Sequence, residues 1–223
     1  MLKLYEEVLL LGLHDEKGTK TNSFLLYGMA GGLLAELMLA ERIAVGEGKR
    51  ARVEVRDATP TGDPEIDGLL ERLAGDKPRA IGDWVSKIGG DGKLFERCVT
   101  RLCDRGILRR EESKVLWVFN RRRYPEQDPG PEQATLERLR EAIRGDGDVD
   151  ERTAALVSIC QGMGLLKEVL PKAELKSRKA RIATIADGRA TGPAVASVIE
   201  AINAAIVVAV ILPAITATTV IHN

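Results

Sequence analysis

Four basic residues recur at every fourth position of one stretch: Lys93, Arg97, Arg101 and Arg105. Residues spaced by four lie on the same face of an α-helix, so these side chains are predicted to form one row, called here the basic ridge. Residues 93–123 contain ten basic and four acidic residues, a local charge of +6 in a chain whose net charge is zero. Such a row can bind the phosphates of lipid headgroups or of nucleic acids. A solvated helix face is the alternative interpretation.

The sequence contains no comparable pattern for a catalytic site or a metal site. The two histidines, His14 and His222, have no cysteine or carboxylate cluster at metal-ligand spacing. Neither a GxSxG nor an HExxH motif occurs. Gly28, Gly31 and Gly32 lack the lysine and the preceding strand of a phosphate-binding loop, and instead predict a close helix contact. We therefore predict no catalytic residue, no metal site and no cofactor.

Composition indicates a globular protein. The chain has 223 residues, 44% of them hydrophobic and 30% charged, which fits one domain or two small ones. Its three cysteines, Cys98, Cys103 and Cys160, lie on apolar helical faces and form no CxxC pair, so we expect buried free thiols in a reducing compartment. The first residues lack the pattern of a cleaved signal peptide, and the expected location is the cytoplasm.

The basic ridge needs a helix beneath it and is followed by a strand pattern. Leu94, Cys98 and Leu102 predict the buried face of that helix, and Gly106 its end. Residues 107–110 and 114–120 then predict a hairpin with a Glu-Glu-Ser turn. A helix followed by a basic hairpin is also typical of a winged helix, whose helix enters the DNA major groove. The neutral net charge, and a ridge without Asn, Gln or Ser to contact bases, argue against that alternative.

Periodicity predicts further helices and one short hairpin. Asp63 and Asp83 are predicted to cap two of these helices. The hairpin is predicted within residues 43–57. Helices are predicted at 2–13, 24–44, 64–74, from 84 through 88, near 136–145, at 152–162 and from 171 onwards.

Two apolar segments are ambiguous. Phe24, Leu25, Leu26 and Tyr27 can be a tip that inserts into a bilayer or the first turn of a core helix. Residues 201–221 carry no charge and are long enough for a membrane span, but Pro213 interrupts them. A buried core helix is therefore preferred for this segment.

Several sequence blocks occur together in a recognisable order: EEVLLLGL at 6–13, GLLAELMLAERI at 32–43, TPTGDPEID at 59–67, the Trp84 segment, CDRGIL at 103–108 and ERTAALVSI at 151–159. With these blocks the chain resembles the Golgi phosphoprotein 3 family, and it is similar to bacterial members of that family. The resemblance covers nearly the whole chain, and a single domain over residues 1–223 is expected.

The resemblance implies a mainly α fold, in which amphipathic helices with small hairpins surround a hydrophobic central helix, placed here at about 195–212. It also implies a peripheral membrane protein that binds phosphatidylinositol 4-phosphate and acts as an adaptor for protein clients. Homo-oligomers are implied to form through the hairpin at 111–121, with Lys114, Leu116, Trp117 and Phe119.

The residues of the family's headgroup pocket are not matched in this sequence. Leu25 and Ala30 stand where the family has a headgroup-contacting tryptophan and arginine. We therefore assign headgroup binding to Lys93, Arg97 and Arg101, and membrane insertion to Phe24, Leu25 and Leu26. The preferred interpretation is a cytoplasmic, non-enzymatic protein at an anionic phospholipid surface, with no nucleic-acid partner; the winged-helix nucleic-acid binder remains the alternative.

Overall fold

The computed structural model describes residues 1–46, 52–115, 119–191 and 199–204, with the side chains of 113–115 and 119–121 left aside. The protein is mainly α, as predicted, and its buried apolar side chains form one core. The helices are α1 (Leu4–Leu11), α2 (Leu25–Leu39), α3 (Pro64–Gly75), α4 (Ile81–Gly89), α5 (Leu94–Asp104), α6 (Gly130–Arg144), α7 (Glu151–Gly162), α8 (Leu166–Val169), α9 (Lys172–Ser177) and α10 (Lys179–Ala186). The strands are β1 (Ile43–Val45), β2 (Val53–Val55), β3 (Glu111–Val115) and β4 (Phe119–Arg123).

Helix α2 lies at the centre of the described part of the fold. It packs against α1, α3, α4 and α7, and most of its side chains are buried. The predicted close contact is confirmed at Gly32, where a Cβ atom would lie 2.7 Å from the backbone nitrogen of Tyr5. Glycine at this position lets α1 and α2 approach each other through their backbones. The helix ends at Leu39, earlier than the predicted limit of 44.

Both predicted hairpins are present, but the second has a different register. β1 pairs antiparallel with β2, and β3 with β4. The Glu-Glu-Ser segment predicted as the turn is part of β3, where Glu111 pairs with Arg123 and Glu112 with Arg122. The predicted strand limits were therefore wrong, because opposite charges facing each other across the strands stabilise a pairing that hydrophobic alternation did not reveal.

Helix starts were predicted with mixed success. Asp63 caps α3 as predicted, because its carboxylate accepts hydrogen bonds from the backbone N–H groups of Glu65 at 3.0 Å and Ile66 at 3.2 Å. The prediction that Asp83 caps the next helix was wrong: α4 begins at Ile81, and Asp83 lies in its first turn. The three cysteines are free, with Cys98 and Cys160 buried and Cys103 half-buried.

Most of the segment predicted as the central helix, 195–212, lies outside the described residues. Within it, residues 199–204 are helical, and Ile199 and Ile202 are buried. In the described ranges, no helix combines the length and the apolar content that a membrane crossing needs.

Candidate functional site

Helix α5 positions the basic ridge. Leu94, Cys98 and Leu102 face the core and are almost fully buried, as their spacing predicted. The four basic residues consequently lie on the opposite, outer side. The carboxylate of Asp91 accepts a hydrogen bond from the backbone N–H of Lys93 at 3.0 Å and so fixes the entry to the helix.

Arg97 is tied to two carboxylates. Its Nε and Nη2 atoms each donate to Glu65 at 2.9 Å, and Nη2 also donates to Asp91 at 3.1 Å. A two-pronged pair of this kind holds the guanidinium in a fixed orientation. Nη1 keeps no hydrogen-bond partner among the described residues, so its two N–H groups are available to an outside acceptor.

Arg101 belongs to a three-member network. Its Nη2 donates to Asp63 Oδ2 at 2.8 Å, and its Nη1 donates to the phenol oxygen of Tyr5 at 2.7 Å. The phenol in turn donates to Asp63 at 3.0 Å. Burial of Tyr5 raises the pKa of its phenol far above the ordinary value, so it remains a donor. Although burial works against ionisation of Asp63, hydrogen bonds from Arg101 and the Ile66 N–H lower the pKa of its carboxyl group.

Arg105 reaches a buried carboxylate of α1. Its Nη1 donates to Glu6 Oε1 at 2.8 Å, and the Glu6 side chain is only 2% exposed. Three of the four ridge residues are therefore joined to acidic groups of the protein itself. Much of the positive charge that the sequence places on this helix is neutralised inside the fold.

The three residues predicted to bind a headgroup line one shallow depression of about 490 Å³, called here the headgroup depression. Lys93 is exposed and forms no ion pair with any described residue. Three cations and two carboxylates line the depression, which leaves it one net positive charge. Its lining residues are Lys93, Arg97, Arg101, Thr100, Glu65 and Glu96.

A second cavity, of about 370 Å³, lies on the other side of the Arg97–Glu65 pair, since both residues also line it. Its lining is mixed: Leu33, Leu69 and Leu94 are apolar, and Arg72 and Asp91 are charged. The pair therefore borders both cavities, of which the second is the more enclosed.

The residues of the predicted insertion segment differ in how deeply they are buried. Leu25 is 0% exposed and belongs to the core, which removes it from any surface that could enter a bilayer. Phe24 and Leu26 are half-buried and lie at the edge of the core. The rings of Phe24 and Tyr27 lie 6.2 Å apart, and Tyr27 packs against Gly89 at the end of α4. The start of α2 therefore lies beside the connection that leads to Lys93.

The residues predicted for oligomerisation are only partly described. Lys114 pairs with Asn120 in the β3–β4 ladder, and Phe119 pairs with Val115. Leu116 and Trp117 lie outside the described residues.

Sequence reasoning missed the acidic partners of the ridge. Asp63 was predicted only as a helix cap, and no role in the site was predicted for Glu6 or Tyr5. One signal was present: Glu6, Glu7 and Glu36 lie within apolar helical segments, and a carboxylate that such a segment buries needs a cationic partner. Glu7 pairs with Arg138, and Glu36 with Arg152, in this way.

Comparison with known proteins gives a consistent result. The Golgi phosphoprotein 3 (GPP34) family model matches residues 4–202. Vacuolar protein sorting-associated protein 74 of Eremothecium gossypii is 27% identical over 212 residues, which cover 79% of this chain and 64% of the relative. The chain thus spans slightly less than two thirds of that relative's length.

The family match includes all ten helices and both hairpins named above. It also includes every residue of the basic ridge and of the acidic groups that hold it. Agreement over this length is much more specific than any single motif, and the chain belongs to the Golgi phosphoprotein 3 family.

Proposed function

We propose that the protein is a non-enzymatic, peripheral membrane protein of the cytoplasm that binds anionic lipid headgroups through Lys93, Arg97 and Arg101. The observation that carries the proposal is the headgroup depression, where an exposed lysine lies beside two arginines held in fixed orientations. Family membership is consistent with this function.

The orientation of Arg97 favours binding of a phosphate. Its Nε and Nη2 groups are occupied by Glu65, while Nη1 keeps both N–H groups for a headgroup oxygen. Preorganised donors lose less conformational freedom on binding than a mobile side chain does. Lys93 adds a mobile point charge at the same place.

Apolar contact is proposed to come from Phe24 and Leu26 alone. Both are half-buried, and Phe24 is linked through Tyr27 to Gly89, four residues before Lys93 in the chain. Aromatic side chains are favoured at the boundary between headgroups and acyl chains.

Phosphatidylinositol 4-phosphate is the proposed headgroup and a protein client the proposed partner, both from the family resemblance. A homo-oligomer is proposed to form through the hairpin at 111–121, with Lys114, Leu116, Trp117 and Phe119 in the contact. No cofactor is proposed.

The first prediction concerns Lys93. Lys93→Glu should weaken binding to phosphatidylcholine vesicles containing phosphatidylinositol 4-phosphate by about 30-fold, since a reversal changes two charges worth about 1 kcal/mol each near an anionic surface. Vesicle sedimentation over a range of lipid concentrations measures this. Circular dichroism should be unchanged, because Lys93 is exposed and has no ion-pair partner among the described residues.

Lys77→Glu is the matched control, because Lys77 is an exposed lysine in the α3–α4 loop. Equal losses for the two variants would mean that only the overall charge matters, and the assigned site would be refuted. Vesicles with phosphatidylserine at the same total charge test whether the phosphoinositide is preferred.

A further inference from the structure

Helices α9 and α10 lie in the second basic segment of the chain. Residues 169–186 contain five basic residues and one acidic residue, Glu174. Neither the basic ridge nor the headgroup depression includes any of them. A charge excess of this size is ordinary on a solvated surface, so its meaning depends on where each side chain points.

The arginines of this region are paired or hydrogen-bonded within the protein. Arg144 of α6 donates to Glu174 at 2.7 Å and so neutralises the one carboxylate of the segment. Arg178 pairs with Asp146 at 3.0 Å, and Arg181 donates to the backbone carbonyl of Ala142 at 3.2 Å. These contacts hold α9 and α10 against α6 and the loop that follows it.

The lysines of this region point outwards. Lys172, Lys176 and Lys179 are all exposed, and none forms an ion pair with a described residue. Lys172 and Lys176 are one turn apart on α9, and Lys179 opens α10 three residues later. We call these three residues the lysine stripe. Helix α9 has no fully buried residue, and its Leu175 packs against the core, while Lys172 and Lys176 are exposed to solvent.

We propose that the lysine stripe is a second contact with an anionic membrane surface, separate from the headgroup depression. This inference rests on the proposed function, because it assumes a protein that meets such a surface. Unpaired lysines near an anionic leaflet attract it without specific geometry. They would strengthen binding to any negatively charged lipid, whereas the arginines of the depression favour a phosphate in a fixed position.

The groups around the stripe favour a membrane over a nucleic acid. No aromatic, asparagine or glutamine side chain occurs between residues 169 and 186, so nothing there can stack on a base or read its edge. The two hydroxyls of the helices are occupied: Ser177 donates to the carbonyl of Glu174 at 2.9 Å and Thr184 to that of Ala180 at 3.0 Å. What remains is positive charge alone, which suits a fluid layer of headgroups.

The test removes the three positive charges of the lysine stripe and leaves every residue of the basic ridge unchanged. The variant combines three substitutions in the full chain: Lys172→Gln, Lys176→Gln and Lys179→Gln. Its sedimentation is measured with phosphatidylcholine vesicles that contain either phosphatidylserine or phosphatidylinositol 4-phosphate at equal total charge. We expect a loss of about 100-fold on both lipids, from about fivefold for each charge. The slope of binding against salt concentration should become shallower.

The matched control is the combination Lys17→Gln, Lys77→Gln and Arg189→Gln, three exposed cations on separate loops. A much smaller loss for this control supports the stripe; an equal loss overturns it, since net charge alone then explains the binding. Thermal unfolding should be nearly the same for wild type and both triple variants, because none of the stripe lysines has an ion-pair partner among the described residues and the one pair that the control removes, Arg189–Asp187, is exposed.

Three further outcomes would also overturn the inference. In the first, the wild type binds vesicles and the stripe variant binds them equally well, which refutes the stripe and leaves the proposed function standing. In the second, the variant keeps its vesicle binding but loses binding to duplex DNA, which assigns the stripe to nucleic acid. A wild type that binds no vesicle of either composition would refute the proposed function itself, and the inference with it.

Discussion

Asp63 shows how much one residue contributes to this site. Its carboxylate caps α3, accepts a hydrogen bond from the Tyr5 phenol of α1 and forms an ion pair with Arg101 of α5. With 6% exposure, it depends on these partners for its charge, because an unpaired buried carboxylate is unfavourable. The same carboxylate therefore fixes the position of α5 and the orientation of one arginine of the proposed headgroup site.

Replacing Asp63 by Asn should destabilise the protein at neutral pH. Asn keeps a helix-capping oxygen but loses the charge pair with Arg101, so the free energy of unfolding should fall by about 1–3 kcal/mol at pH 7. The pKa of Asp63 is lowered in the fold. Its contribution is therefore complete above the unfolded-state value of about 3.9 and is lost as the pH falls through the lower folded-state value.

Urea unfolding at pH 7, 5 and 3 measures this effect. The difference between wild type and Asp63→Asn should be largest at pH 7 and should shrink towards pH 3. Asp104→Asn is the control and should change little, because Asp104 is an exposed carboxylate at the end of α5. A difference that grows with acidity would contradict the assignment.

Single residues also show the limit of prediction from sequence. Asp63 could be identified as a cap because an aspartate followed by proline and an apolar period has a local physical meaning. Its pairing with Arg101 could not, because 38 positions separate the two residues and only the packing of α1, α3 and α5 brings them together. The ridge was located correctly, while its neutralisation by Glu65, Asp63 and Glu6 was not predicted.

At the scale of elements, the contact between α1 and α2 organises the core. Both helices are buried over most of their length, and they meet where Gly32 faces the backbone of Tyr5. Tyr5 and Glu6 on α1 then reach Arg101 and Arg105 on α5. The position of the ridge consequently depends on how closely these two helices approach each other.

Gly32→Ala and Gly31→Ala should have opposite effects. A Cβ atom at Gly32 would meet Tyr5 Cα at 2.8 Å, so α1 must move, and a loss of stability of about 1–3 kcal/mol is expected. At Gly31 the nearest atom, Ile159 Cγ1, is 3.9 Å away. Alanine fits there and should stabilise the helix by up to about 1 kcal/mol.

Thermal unfolding of the two variants gives a direct comparison. Similar losses for both would mean that α2 does not tolerate any added methyl group in this region, and the specific close approach at Gly32 would be refuted.

The glycine contact was predicted from spacing alone. The β3–β4 register was not, because its paired charges follow no hydrophobic alternation.

At the scale of the whole molecule, the charge counted from the sequence differs from the charge that remains unpaired in the fold. Residues 93–123 carry a net charge of +6. In the fold, however, the ridge arginines form ion pairs with acidic groups of α1, α3 and the α4–α5 connection. Lysines such as Lys93 and those of the stripe remain free of ion pairs with the described residues. Lysines without base-reading neighbours suit an anionic surface better than a specific nucleic-acid site.

This distribution gives the last prediction. At equal concentrations of accessible phosphate and equal salt, the wild type should bind vesicles with anionic lipid more tightly than a DNA duplex. The helix–hairpin order of α5, β3 and β4 is what favours the winged-helix alternative. For that alternative the outer face of α5 must enter the major groove, yet the basic ridge carries no Asn, Gln or Ser side chain that could read a base edge.

Sedimentation for vesicles and fluorescence anisotropy for DNA, both over a salt series, compare the two partners. Both kinds of binding weaken with salt, so the order of affinities at matched salt decides. Lys93→Glu should lower vesicle binding and leave any weak DNA binding nearly unchanged, since nonspecific DNA binding is spread over many cations. Tighter binding to the duplex, abolished by Lys93→Glu, would instead establish α5 and its hairpin as a nucleic-acid site.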